Sequence, residues 1–194
     1  AHNVRRMKEI VGPQVRLMGV VKSDAYGHGA VVCARTALLN GAEHLAVSNI
    51  QEALELVESG IDAPILVMNY TPVMAARQAV RQRIILTVYD LDLARAYDRA
   101  ARELGAPLRV HVKVDTGMGR LGVLASDSLT LFRHLSTLRN LEIEGIYTHF
   151  AAADEDPAFT AYQLKVFKDV IKPLRASGFQ FKYIHAANSA GTLA

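Results

Sequence analysis

Seven short apolar stretches alternate with helical stretches along the chain, and this alternation limits the fold more than any other feature. The strand candidates are Leu17–Lys22, His44–Ser48, Ile65–Asn69, Ile84–Tyr89, Leu108–Asp115, Ile143–His149 and Phe181–Ala186. An opening helix carries Val4, Met7, Ile10 and Val11 on one side, and Ala30–Leu39 is rich enough in small residues for a packed helix. Asn49-Ile-Gln-Glu52 has the form of a capping box leading into Ala53–Glu58, which Gly60 ends. Asp90 is placed to cap Leu91–Leu104, stopped by Gly105-Ala-Pro107. Phe167, Val170, Ile171 and Leu174 form the apolar face of a later helix that ends near Gly178.

Strict alternation predicts a parallel α/β sheet, closed either as an open doubly wound sheet or as a TIM-type (β/α)8 barrel with one strand missing. No Gly-x-Gly-x-x-Gly turn follows the first strand, which counts against a dinucleotide-binding sheet. Lys22, Asp115, His149 and Asn188 fall at strand carboxyl ends in widely separated parts of the sequence. A barrel gathers those ends around one mouth, where active sites lie. The expectation is therefore a truncated barrel of seven strands, with 1–194 as one incomplete domain.

Charge and composition narrow the function. The 22 basic and 19 acidic residues are scattered with no basic block, so nucleic acid is not an expected partner. No run approaches the roughly 20 apolar residues that span a membrane. A single cysteine, Cys33, excludes an internal disulfide and a multi-cysteine zinc site, fits a cytoplasmic location, and is read as a small core residue. The histidines are dispersed without chelating spacing, so no metal is expected. The chain opens inside an amphipathic helical pattern, with no initiator methionine or signal peptide. It stops at Asn188-Ser-Ala-Gly-Thr-Leu-Ala194 just as a helix begins, so it reads as part of a longer protein.

The chemistry centres on Val20-Val21-Lys22-Ser23-Asp24-Ala25-Tyr26-Gly27-His28-Gly29. Burial of a lysine at a strand end would lower its pKa and make the amine nucleophilic, as Schiff-base chemistry with an aldehyde requires. Gly27 and Gly29 allow positive φ and precede a helix whose free N–H groups can hold a phosphate. An aldehyde bearing a phosphate describes pyridoxal phosphate. In Leu108-Arg-Val-His-Val-Lys-Val-Asp-Thr-Gly-Met-Gly-Arg-Leu-Gly122, alternation sets Val110, Val112 and Val114 opposite His111, Lys113 and Asp115. His149 closes a strand, with Asp154 beyond it for a loop or helix cap. Asn188 and Ser189 stand where a strand turns into a helix, a position that serves as an N-cap or as an anion site.

Lys22-Ser-Asp-Ala-Tyr-Gly-His-Gly29 resembles the cofactor-lysine signature of the alanine racemase family, with Ser23 at a position usually filled by Ala or another small residue. The run ending in Thr116-Gly-Met-Gly-Arg120 resembles the family's second signature. The resemblance implies a barrel that carries pyridoxal 5'-phosphate, followed by a β-rich domain that lies outside these residues. It implies that Lys22 bears the cofactor and acts as one catalytic base, that Tyr26 and Ser189 bind the phosphate beside Asn188, and that His149 lies against the pyridine ring. Arg120 matches the arginine that contacts the cofactor and the substrate carboxylate. Lys113 matches a lysine carboxylated in some members; a lysine reaching Asp115 or a neighbouring carboxylate is the alternative.

The function so implied is an isomerase interconverting L-alanine and D-alanine through a pyridoxal-phosphate Schiff base, supplying D-alanine as a peptidoglycan precursor. The second base in the family is a tyrosine from the second domain of the partner subunit in a homodimer. A single-domain pyridoxal-phosphate carrier is one alternative. A racemase of the same fold acting on serine or another amino acid is the other.

Overall fold

The structure, a computed structural model, describes residues 1–193. It divides into two compact units, Ala1–Thr87 and Val88–Ala194. The expected alternation is present in each, and every strand pairing within them is parallel. This is the seven-strand portion of a (β/α)8-type barrel among the described residues, with one additional two-residue strand that the sequence did not signal.

The first unit opens with α1 (His2–Val11), followed by β1 (Leu17–Val20), the turn α2 (Lys22–Gly27) and α3 (Ala30–Leu39). It continues with β2 (Ala42–Val47), α4 (Ile50–Glu58), β3 (Ile65–Val67), α5 (Val73–Arg81) and β4 (Ile85–Val88). Its strands pair in sequence order, and Leu45, Ala46, Val47, Leu66, Val67, Ile85 and Leu86 are buried. The helices turn short side chains to the sheet: Ala30, Ala34 and Ala37 from α3, Ala75, Ala76 and Ala79 from α5. Small residues let helix and sheet approach closely. A Cβ on Gly19 of β1 would already lie 3.4 Å from the Ala37 methyl. Cys33 is half-buried on α3 rather than in the core.

The second unit contains α6 (Leu91–Leu104), β5 (Leu108–Asp115), β6 (Val123–Leu124), α7 (Ser128–Leu135), β7 (Leu141–Tyr147), α8 (Pro157–Ala176), β8 (Tyr183–His185) and α9 (Ser189–Leu193). β7 pairs with β5 on one side and β8 on the other, while β6 extends beside the end of β5. That approach requires a glycine at position 122, because a Cβ there would lie 2.5 Å from the Asp115 backbone nitrogen. The Asp90 carboxylate caps α6 by accepting from the Leu93 N–H at 2.8 Å, and Gly105 ends it in the left-handed conformation. Phe167, Val170, Ile171 and Leu174 of α8 are buried as their spacing predicts. Asp156, not Asp154, caps α8, accepting from the Phe159 N–H at 2.8 Å. Buried Glu144 accepts from Lys182 at 3.1 Å and lies 3.9 Å from Arg109. This pairing holds the Lys182 ammonium's pKa above its usual value. Among the described residues, no helix is long and apolar enough to cross a membrane.

Candidate functional site

In the first unit, β1 ends at Val20, so Lys22 stands just past the strand and opens α2. The turn is left-handed: Ser23, Asp24, Ala25 and Tyr26 have φ of 53, 52, 53 and 57°. An L-residue costs about 1–2 kcal/mol in that conformation, so four in succession need local compensation. Inside the turn, the Ala25 N–H donates to the Val21 carbonyl at 3.0 Å and the Gly29 N–H to the Asp24 carbonyl at 3.0 Å. His28 Nδ1 lies 2.9 Å from the Ala25 carbonyl, which gives that histidine a structural place.

The left-handed turn sets the exposure of the chemical groups. Ala25 is buried, Lys22 half-buried, and Tyr26 61% exposed, with the Lys22 amine 5.8 Å from the Tyr26 ring centroid. The expected phosphate site at the start of α3 is corrected, because the Asp24 carboxylate already accepts from the Ala30 N–H at 2.6 Å. A carboxylate there repels a phosphate. The capping box is also half formed. The Asn49 side chain accepts from the Glu52 N–H at 3.0 Å, whereas the Glu52 carboxylate turns away to Ser23 and Ser48.

In the second unit, the strand register aligns Lys113, Tyr147 and His185 across β5, β7 and β8. Tyr147 stacks on His185 with centroids 4.7 Å apart and planes at 4°, and the Lys113 ammonium lies 5.5 Å from the Tyr147 ring centroid. One row below are His111, Gly145 and Tyr183. The missing side chain at Gly145 lets the His111 ring lie over β7 and place Nδ1 2.9 Å from His185 Nε2. One of those nitrogens donates and the other accepts, so at least one ring has an unprotonated nitrogen. Lys113 and His111 are buried, as are Val110, Val112 and Val114 on the opposite face, so both faces of β5 are covered.

Asp115 organises the loop that leads to Arg120. Its carboxylate accepts from the Gly117 N–H at 2.9 Å and the Gly119 N–H at 3.0 Å. Arg120 is exposed beyond it. His149 lies two residues past the end of β7 and is half-buried. Behind it, fully buried Gln163 donates to the His149 carbonyl and to Thr116 Oγ1, both at 3.2 Å, and accepts from the Ala151 N–H at 2.9 Å. Thr116 and Thr148 share a 2.8 Å hydrogen bond. One amide thus ties together the loop bearing His149 and the start of the loop bearing Arg120. The signal for it was a polar residue on the apolar stripe of α8, four residues before Phe167.

Asn188 lies three residues beyond β8 and caps α9, its side-chain oxygen accepting from the Gly191 N–H at 2.9 Å. Ser189, the first residue of α9, is exposed. Thus the first unit holds Lys22 and Tyr26 on one strained turn. The second holds Arg120, His149, Asn188 and Ser189 on the loops that follow its strands, with Lys113 on β5 itself.

A parallel α/β chain with a lysine just past its first strand belongs to a definable class. The family profile described as "Alanine racemase, N-terminal domain" matches residues 1–194. Alanine racemase 1 of Oceanobacillus iheyensis is 44% identical over 196 residues, covering 100% of this chain and 52% of that protein. The alanine racemase of Clostridium difficile 630 in complex with cycloserine superimposes with a TM-score of 0.95 at 35% identity, covering 98% of this chain and 53% of the other. The histidine racemase of Leuconostoc mesenteroides superimposes with a TM-score of 0.91 at 26% identity, covering 98% and 51%. The chain belongs to the alanine racemase family through that N-terminal domain. It spans about half the length of the curated relatives it matches.

Proposed function

We propose that the chain is the cofactor-carrying portion of a pyridoxal-phosphate alanine racemase, an isomerase interconverting L-alanine and D-alanine. The observation that carries this reading is the left-handed turn opening at Lys22, in a chain so close in sequence to named alanine racemases. Each unit by itself carries groups that suit the cofactor: the first a half-buried amine for its aldehyde and the exposed Tyr26 for its phosphate, the second the exposed Ser189 for its phosphate and a guanidinium for an anion. When bound, pyridoxal phosphate supplies an aldehyde and an electron-accepting ring that acidify the substrate's α-proton.

Lys22 would hold the cofactor through its amine and move the α-proton on one face of the substrate. Tyr26 of the first unit and Ser189 of the second would each donate to the phosphate, with the Asn188 amide next to Ser189 in the chain. The His149 ring would position the pyridine. Arg120 stays charged and can grip the substrate carboxylate with two hydrogen bonds. Lys113, 4% exposed and beside the Tyr147 ring, matches the lysine that some members of the family carry as a carbamate, an acceptor for Arg120. In the full-length protein the second base would be a tyrosine of the partner subunit in a cytoplasmic homodimer. The histidine racemase shares the fold at 26% identity, so fold alone does not select the substrate side chain; alanine rests on the closer relatives.

The test is covalent trapping. Pyridoxal phosphate added to the chain should give a visible absorption band, and borohydride followed by peptide mapping should place the adduct on Lys22. Lys22→Ala should abolish it. Labelling spread over several surface lysines, equal in both proteins, would overturn the reading.

A further inference from the structure

We infer that Glu52 is a positioning residue for Lys22, acting through the left-handed turn; its relevance to chemistry rests on the cofactor reading above. The β1–β2 ladder runs in register from Met18 and His44 to Val20 and Ala46, and the Val21 N–H still donates to the Ala46 carbonyl at 2.9 Å. In a parallel pair the next donor on this side is the Ser23 N–H, which would meet the Ser48 carbonyl if both chains ran on. They do not, because Ser23 has entered the left-handed region at φ 53°.

Glu52 replaces the lost pairing. Its Oε1 accepts from the Ser23 N–H at 2.8 Å and its Oε2 from the Ser48 N–H at 2.7 Å, lengths of charge-assisted bonds. One carboxylate therefore terminates both strands where they part. Beyond that last ladder bond at Val21, the other hydrogen bonds of the turn join residues 21–30 to one another or run on to Cys33 of α3, so they fix its shape more than its place. Glu52 anchors the turn to α4, whose Ile50, Ala53 and Leu56 are buried in the unit core. The residue it grips directly follows Lys22. A shift of that N–H moves the start of the lysine side chain with it.

The Asn49-x-x-Glu52 pattern provides an internal control. Asn49→Ala removes the helix cap and leaves the Glu52 carboxylate. Glu52→Gln keeps size but leaves a single acceptor, so one of the two N–H groups faces an NH2 donor. Two readouts are compared in the 194-residue chain. Without cofactor, amide exchange of Ser23 and Ala25 should quicken roughly 10-fold or more in Glu52→Gln and stay at the wild-type rate in Asn49→Ala. With pyridoxal phosphate as probe, affinity and the rate of borohydride trapping at Lys22 should fall roughly 10- to 100-fold in Glu52→Gln, as loss of a bond to a charged group implies. They should change less than about 2-fold in Asn49→Ala despite its lower Tm. Wild-type exchange and trapping in Glu52→Gln, or equal losses in both variants, would overturn the inference. Failure of the wild-type chain to label at Lys22 would instead overturn the cofactor reading, and the exchange rates would still decide whether Glu52 fixes the turn.

Discussion

Position 145 shows how much one absent methyl can decide. A Cβ there would lie 2.9 Å from three atoms of the His111 ring, which has no flexible end to move aside. Gly145→Ala should therefore cost on the order of 1–3 kcal/mol, as overpacking does, and separate His111 from His185. Urea unfolding measures the first effect, and the histidine ring resonances report the second; unchanged resonances would show that the backbone yields instead. At Ser189 the expected effect concerns binding rather than stability. Ser189→Ala should weaken pyridoxal phosphate roughly 10- to 150-fold, as loss of one bond to a charged group implies, and leave phosphate-free pyridoxal almost unaffected. Equal weakening of both would make Ser189 a structural residue at the start of α9. The resemblance singled out Lys22, Arg120 and Ser189 as candidates, because residue type and order survive in one dimension. The sign of φ at Ser23 to Tyr26 was not legible, since none of the four is glycine and the turn is held partly by Glu52, 29 residues away.

Among elements, α8 is both a packing helix and a clamp. Its apolar stripe follows from period 3.6, but the meaning of Gln163 depends on which loops arrive beside it. Gln163→Leu fills much of the volume and removes three hydrogen bonds made by one amide, two from Nε2 and one to Oε1. We expect a loss of about 1–3 kcal/mol for each buried group left unpaired, and weaker pyridoxal phosphate binding through His149. The carboxyl ends of β1, β2, β3, β4, β7 and β8 fall one or two residues short of the expected ones. At β1, β3, β4 and β8 an apolar or aromatic residue follows directly, so hydrophobicity alone extends the strand. In the middle of β7 the Glu144–Lys182 pair predicts a pH response. The Lys182 pKa is raised above 10.5, chiefly by the hydrogen bond to Glu144, so its stabilisation is complete below 10.5 and is lost as pH rises through the higher folded value. The Lys182 side chain is 57% exposed, which screens the effect. The urea midpoint should fall more steeply at alkaline pH in wild type than in Glu144→Gln; parallel curves would assign the decline to other groups.

At the scale of the whole molecule, the alternation of elements made the fold class legible, because a period-2 and a period-3.6 pattern taking turns has few packed solutions. The family was legible by resemblance, and the chain spans about half the length of its curated relatives. Racemisation needs an acid–base group on each face of the α-carbon, and a positioned one contributes about 10²–10⁴-fold. The 194 residues should therefore bind pyridoxal phosphate yet convert L-alanine at least roughly 100-fold more slowly than a full-length relative, followed by chiral detection of D-alanine. Near-equal rates would place both groups inside this chain. The left-handed turn has a consequence of a different kind, in stereochemistry. A mirror-image residue finds φ near +55° as comfortable as an L-residue finds −55°, so D-serine at position 23 keeps the N–H that Glu52 grips while relieving about 1–2 kcal/mol of strain. The single Cys33 lies ten residues further on, where a synthetic 1–32 thioester could be joined to the remainder. At this one stretch a natural L-protein would gain stability by accepting an amino acid of the opposite hand.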